Sequence, residues 1–140
     1  MRDIAYIALG SNLGKREQYL ELARSAIAAL PGTRILRASS VEETAPVGDV
    51  PQGPYLNQML AVETELAPRE LLDCLHEIER SAGRVRDVRW GPRTLDLDIV
   101  KFESQTVNEP DLMVPHPEFG NRDFWQRELG ELTGPGGHSE

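Results

Sequence analysis

The chain reads as an α+β protein, a single domain in which helices pack on an antiparallel sheet and a short helix closes the C-terminal end. Three observations predict this. Short apolar runs rich in β-branched residues recur along the sequence. Two longer stretches repeat apolar residues at three- and four-residue steps. Glycine and proline punctuate the intervals between them.

Ile4 to Leu9 is the first strand, ended by Gly10-Ser11-Asn12. A helix follows from about Lys15 to Leu30. Tyr19, Leu22, Ala23, Ala26, Ile27 and Leu30 form its apolar stripe, and Pro31-Gly32 stops it. Thr33 to Ser40 is a second strand. Pro46, Gly48, Pro51, Gly53 and Pro54 make the segment from Ala45 to Pro54 a loop. Tyr55 to Glu65 is a third strand. Pro68 suits the first turn of the next helix, whose buried stripe is Leu71, Leu72, Leu75 and Ile78. Gly83 is placed to cap its end. A fourth strand runs from Thr94 to Phe102, Asn108 to Pro117 reads as a loop, and a short helix spans about Asn121 to Leu132. The order β-α-β-β-α-β is the ferredoxin-like one. Residues 1–133 form the domain, and Gly134 to Glu140 form a mobile tail.

Size and charge narrow the function. A chain of 140 residues can bury one sizeable core. No apolar run approaches the length of a membrane span, and the N-terminus lacks the pattern of a signal peptide, so a cytoplasmic protein is expected. The single cysteine, Cys74, excludes an internal disulfide and fits a reducing compartment. A net charge of −8 argues against nucleic-acid binding, which draws on positive charge. Yet from Arg80 to Arg93 five arginines stand against one acid, Asp87. Arginine forks suit phosphate, so a small polyanion such as a nucleotide is the expected partner. No membrane partner and a monomeric state are also expected.

The most informative run is Arg89-Trp90-Gly91-Pro92-Arg93-Thr94-Leu95-Asp96-Leu97-Asp98-Ile99. Its second half alternates, so on a strand Asp96 and Asp98 share one face, about 6.5–7 Å apart, while Leu95, Leu97 and Ile99 enter the core. Two carboxylates so placed can hold a pair of divalent cations roughly 3.5–4 Å apart. Alternating acids can equally be a solvated strand face. The arginines and the Trp-Gly-Pro turn upstream favour the site, because a solvated face needs neither.

That run resembles the signature of the 6-hydroxymethyl-7,8-dihydropterin pyrophosphokinase family. Tyr6-Ile7-Ala8-Leu9-Gly10-Ser11-Asn12-Leu13-Gly14, Tyr55-Leu56-Asn57, Gly83-Arg84-Val85-Arg86, Val114-Pro115-His116 and Asn121-Arg122 follow the family pattern in order, from about Ile4 to Phe124. The resemblance implies transfer of the β,γ-pyrophosphoryl group of ATP to the pterin alcohol, for folate biosynthesis, with two Mg²⁺ ions held by Asp96 and Asp98. It implies catalytic roles for Asp96, Asp98, Arg84 and Arg93. Pterin contacts fall to Thr44, Val47, Tyr55, Asn57, Trp90 and Phe124, with Tyr55 and Phe124 stacking on the heterocycle. ATP contacts fall to His76, Glu79, Arg86, Arg89, Arg93, His116 and Arg122.

The chain departs from the family pattern in two places. Ala45 stands where a second proline is usual. After Phe124, Trp125-Gln126-Arg127-Glu128-Leu129-Gly130-Glu131-Leu132 replaces an apolar run. Trp125, Leu129 and Leu132 have helical spacing, so a short amphipathic helix is expected to buttress Phe124. Two other readings remain open on the sequence: a paralogous pyrophosphokinase for a different pterin alcohol, and a non-catalytic pterin or nucleotide binder. An RNA-binding module of similar topology is disfavoured by the acidic charge and by the lack of an aromatic RNA-binding strand.

Overall fold

The computed structural model describes residues 2–12, 14–45, 54–83 and 95–133. Along the chain these form β1 (Asp3–Ser11), α1 (Arg16–Ala28), β2 (Thr33–Ala38), β3 (Glu42–Thr44), β4 (Tyr55–Thr64), α2 (Pro68–Ser81), β5 (Asp96–Phe102), β6 (Val107–Glu109), β7 (Leu112–Val114) and α3 (Asp123–Thr133). The architecture is α+β. The main sheet is antiparallel with order β2-β4-β1-β5, and β3 also pairs with β4.

β1 lies in the middle of the sheet and is apolar on both sides. Ile7 and Leu9 join Leu60, Val62, Leu97 and Ile99 under α1 and α2. Tyr6 and Ala8 join Met59, Ala61 and Val100 under Trp125, Leu129 and Leu132 of α3. Burial on both faces explains why this strand reads as a continuous apolar run rather than an alternating one. α1 buries Leu20, Ala23 and Ile27, so the stripe runs through Leu20, which was not expected in it, and leaves Leu22, which was, exposed. α2 begins with Pro68 in its first turn, and Glu70 Oε1 accepts a hydrogen bond from the Ala67 N–H at 2.9 Å. Gly83 follows α2 with φ of 79°, the left-handed conformation expected of a glycine there.

Four further expectations need correction. β1 does not stop at Leu9 but continues to Ser11, because β4 and β5 supply ladder partners on both sides: Gly10 pairs with Asn57 and with Asp96. The second strand ends at Ala38 rather than Ser40, and a further strand, β3, follows at Glu42–Thr44 where none was expected. A register shift after Ile35 precedes the break, and Ser39 then replaces the ladder. Its N–H donates to Met59 O at 2.8 Å, while its hydroxyl accepts from the Met59 N–H at 2.9 Å. The segment read as a loop from Asn108 to Pro117 contains the β6–β7 hairpin. Three-residue strands around Pro110-Asp111 are too short to show alternation, although β7 buries Leu112 and Val114 and exposes Met113. The fourth strand starts at Asp96; Thr94 lies outside the described residues.

β5 carries one residue more than β1 between Lys101 and Ile99, a bulge at Val100. Val100 and Lys101 consequently both face α3, with the Lys101 ammonium 5.6 Å from the centre of the Tyr6 ring. Among the described residues no helix is long and apolar enough to cross a membrane. The segment from Gly134 to Glu140 lies outside the described residues.

Candidate active site

Asp96 and Asp98 are half-buried on β5, while Leu95, Leu97 and Ile99 are buried beneath them, as the alternation predicts. The pairing register sets their surroundings. Glu42, Asn57, Gly10 and Asp96 form one row across four strands, and residues paired in a row point to the same face. Neighbouring strands lie about 4.8 Å apart, so Asn57 and Asp96 are separated by roughly 10 Å with a single glycine between them. A Cβ at Gly10 would stand 3.3 Å from Asn57 Oδ1 and 3.4 Å from Tyr55 Cδ1. The close approach of these two side chains leaves a Cβ at this position little room, and the absent side chain keeps the space between Asn57 and Asp96 open.

On the β4 side of this row, Thr44 pairs with Tyr55, and Asn57 Nδ2 donates to Thr44 Oγ1 at 2.6 Å. Three of the predicted pterin residues are therefore adjacent. Phe124 joins the same face from the first turn of α3, its ring 6.2 Å from Trp125 at an interplanar angle of 70°.

On the β5 side, His116 Nε2 lies 3.6 Å from Asp98 Oδ1. The His116 N–H donates to Val100 O at 2.8 Å, and its Nδ1 accepts from the Glu118 N–H at 3.0 Å. An Nδ1 that accepts leaves the ring proton on Nε2, facing the aspartate. The Val114–Pro115 peptide just before it is cis. Arg122 places its guanidinium 4.5 Å from the centre of the Trp125 ring.

A cavity of about 340 Å³ opens beside the aspartates, between α2, β5 and the β6–β7 hairpin. His76 and Glu79 line it from α2, Asp111 and Met113 from the hairpin, and Asp96, Asp98 and His116 from its floor. Glu79 also supports the strand directly: it is 3% exposed, and its Oε2 accepts from the Leu97 N–H at 2.8 Å. Arg69 joins the two walls. It pairs with Asp111 at 2.7 Å and with Glu109, and these hydrogen bonds hold the Asp111 carboxyl below its usual range and push the Arg69 guanidinium up.

Thr44, Tyr55 and Asn57 thus come together on β3 and β4, His76, Glu79, Asp96, Asp98 and His116 surround the cavity, and Phe124 and Arg122 both stand against Trp125. Val47, Arg84, Arg86, Arg89, Trp90 and Arg93 lie outside the described residues. Among the described residues no three His, Cys, Asp or Glu side chains converge as a metal cage. Two strand carboxylates nevertheless suit Mg²⁺, which takes one or two carboxylates and completes its shell with substrate phosphates and water.

Sequence reasoning missed Arg69, although its spacing to Leu72 and His76 already placed it on the cavity side of α2. It also missed Glu128. Both Glu128 oxygens are buried and meet no hydrogen-bond donor among the described residues. Burial, helped by the nearby Glu42 and Glu131 charges and opposed by Arg127, pushes this carboxyl up to about 8.

Comparison with known proteins places these features in a family context. Residues 6–134 match the family described as 7,8-dihydro-6-hydroxymethylpterin-pyrophosphokinase (HPPK). The chain is 44% identical over 132 residues to the 2-amino-4-hydroxy-6-hydroxymethyldihydropteridine pyrophosphokinase of Bacillus subtilis, covering 94% of this chain and 79% of that one. The protein of the same name from Pseudomonas aeruginosa is 44% identical over 128 residues, covering 91% and 79%. That of Haemophilus influenzae is 44% identical over 120 residues, covering 86% and 75%.

Proposed function

This chain belongs to the 7,8-dihydro-6-hydroxymethylpterin-pyrophosphokinase family, and we propose that one face of its sheet brings the two substrates of that reaction together. The enzyme transfers the pyrophosphoryl group of ATP to the hydroxymethyl oxygen of 6-hydroxymethyl-7,8-dihydropterin, on the way to folate. The observation that carries the proposed assignment of residues is the row Asn57–Gly10–Asp96. It sets a pterin-type amide and a metal-type carboxylate on one face with no side chain between them.

In this reading Asn57 and Thr44 hydrogen-bond the edge of the pterin, since an amide offers the donor and acceptor that an aminopyrimidinone needs. Tyr55 and Phe124 take its flat faces. The hydroxymethyl arm crosses Gly10 toward Asp96 and Asp98. ATP lies in the cavity between α2 and the β6–β7 hairpin, with His116 and Arg122 directed at its phosphates. The new bond joins the pterin oxygen to the β-phosphorus. The bond from that phosphorus to the α,β-bridging oxygen breaks, and AMP leaves.

Asp96 and Asp98 would hold two Mg²⁺ ions. Bound there, the ions supply charge neutralisation on the triphosphate and acidify the attacking alcohol. Arg84 and Arg93, with Arg86 and Arg89 in support, would stabilise charge that develops on the bridging oxygen. Val47 and Trp90 would complete the pterin pocket. The frame is read as ferredoxin-like, which the strand order β2-β4-β1-β5 supports. A monomer working in the cytoplasm goes with this reading. In support, only three large apolar side chains among the described residues are exposed, Leu22 on α1, Val41 before β3 and Met113 on β7.

The test is product analysis after mixing the protein with ATP, Mg²⁺ and 6-hydroxymethyl-7,8-dihydropterin. AMP should appear in equal amount with the pterin pyrophosphate. Stoichiometric ADP in place of AMP would overturn the assignment.

A further inference from the structure

We propose that Trp125 is a positioning residue for the phosphate side of this site, holding His116 and Arg122 in register with Asp98. The proposal rests on the pyrophosphokinase reading for what those two residues do, and on the geometry alone for how they are held.

Trp125 is 2% exposed and rooted in the cluster with Tyr6, Ala8, Met59 and Val100, so its ring is fixed by the sheet itself. Three functional side chains are arranged around it. His116 meets the indole at a centroid distance of 5.0 Å and an angle of 89°, an edge-to-face contact. The Arg122 guanidinium lies 4.5 Å from the ring centre. Phe124 meets it edge-on at 6.2 Å.

The consequence for His116 follows from counting its restraints. Its backbone N–H is tied to Val100 O, and Nδ1 is tied to the Glu118 N–H. The indole closes off another side of the imidazole, leaving Nε2–H directed at Asp98 across 3.6 Å. For Arg122, a contact with the ring pins a long flexible side chain while leaving the donors at its guanidinium rim available to an anion. An aliphatic residue of similar bulk would fill the cluster and do neither.

Filling the core is the competing account, and the two predict different behaviour for Trp125→Leu. On the positioning account, folded Trp125→Leu loses about tenfold in kcat/KM for ATP, the size of a partly desolvated cation–π contact together with a ring–ring contact. Trp125→Phe, which restores a smaller ring, recovers part of that loss and stays about two- to fivefold below wild type. The ¹⁵N signals of the His116 ring report the Nε2–H tautomer in the wild type and a mixture of tautomers in Trp125→Leu. A folded Trp125→Leu with ATP kcat/KM within twofold of wild type and unchanged His116 signals overturns the proposal.

Should Trp125→Leu fail to fold, Trp125→Phe decides alone. A two- to fivefold loss in ATP kcat/KM supports positioning, because the smaller ring reaches its neighbours less well; an unchanged value overturns it. If the wild type releases no AMP, the pyrophosphokinase reading has failed. The His116 ring signals in the variants then judge Trp125 independently.

Discussion

Replacing Glu128 by glutamine should make the protein more stable at high pH and leave it nearly unchanged at low pH. The reason lies in the position of this carboxyl under α3, where both oxygens are buried and no donor among the described residues reaches them. Its ordinary value is 4.5, and burial, with Glu42 and Glu131 adding to it, raises that to about 8 in the folded chain. Below pH 4.5 the group is neutral whether the chain is folded or not, and it costs nothing through ionisation. Above 4.5 the unfolded chain releases the proton while the folded chain keeps it. Stability therefore falls as pH rises, and the fall ends near pH 8, where the folded carboxyl ionises too. Each pH unit in that window is about 1.4 kcal/mol, so roughly 3 kcal/mol is lost by pH 7 and roughly 5 by pH 8. That is a large share of the ~5–15 kcal/mol typical of a domain. Glutamine keeps the shape and cannot ionise. Urea unfolding at pH 5, 7 and 8.5 should show wild type and Glu128→Gln nearly equal at the lowest pH, with the variant ahead by several kcal/mol at the highest. Other groups titrate in both proteins and cancel in the difference. A difference that stays constant from pH 5 to 8.5 would refute the reasoning and mean that the carboxyl finds a partner in solution.

Two further outcomes follow from the site. If Asp98 holds Mg²⁺ as proposed, Asp98→Asn should cut turnover by about two orders of magnitude, because a lost metal ligand removes several kcal/mol of charge stabilisation. A half-exposed, near-isosteric change should leave the melting temperature close to wild type; near-normal turnover at limiting Mg²⁺ would instead make the strand an ordinary solvated one. Arg69→Ala should release the β6–β7 hairpin from α2 and raise the KM for ATP roughly two- to fivefold with kcat little changed, as expected for exposed ion pairs. The difference from wild type should shrink in high salt, and a salt-independent difference would mean that the guanidinium acts through something other than Glu109 and Asp111.

How much of this was legible in the sequence depended on whether the signal was local. The alternation over Leu95 to Ile99 forces Asp96 and Asp98 onto one face whatever surrounds them, and the structure has them there. The stripe of α2 was visible for the same reason. The β6–β7 hairpin was not, because three-residue strands flanking Pro110-Asp111 carry too little periodicity to outweigh turn residues. The extension of β1 to Ser11 depends on partners more than forty residues away. Glu128 is the instructive miss. It stands three residues after Trp125 and four before Leu132, which is the buried side of a helix, yet a glutamate is almost never fully buried, so its charge masks the position. The contacts of Trp125 with His116 could not be read at all, since only tertiary packing brings α3 against the segment after β7.

Under the proposed placement of the substrates, Gly10 separates what the fold tolerates from what the reaction tolerates. An added methyl group there would press on Asn57 and Tyr55 at 3.3 and 3.4 Å, distances that a few tenths of an ångström of side-chain movement can relieve. The backbone makes no special demand at this position, since Gly10 is not among the glycines with positive φ. A chain selected only to fold could therefore drift to alanine at this site. A chain selected to pass a hydroxymethyl arm from Asn57 to Asp96 could not, because the methyl would occupy the path. Glycine at position 10 would then be a record of chemistry rather than of architecture, and the mutational freedom of β1 would end at the proposed meeting point of the substrates.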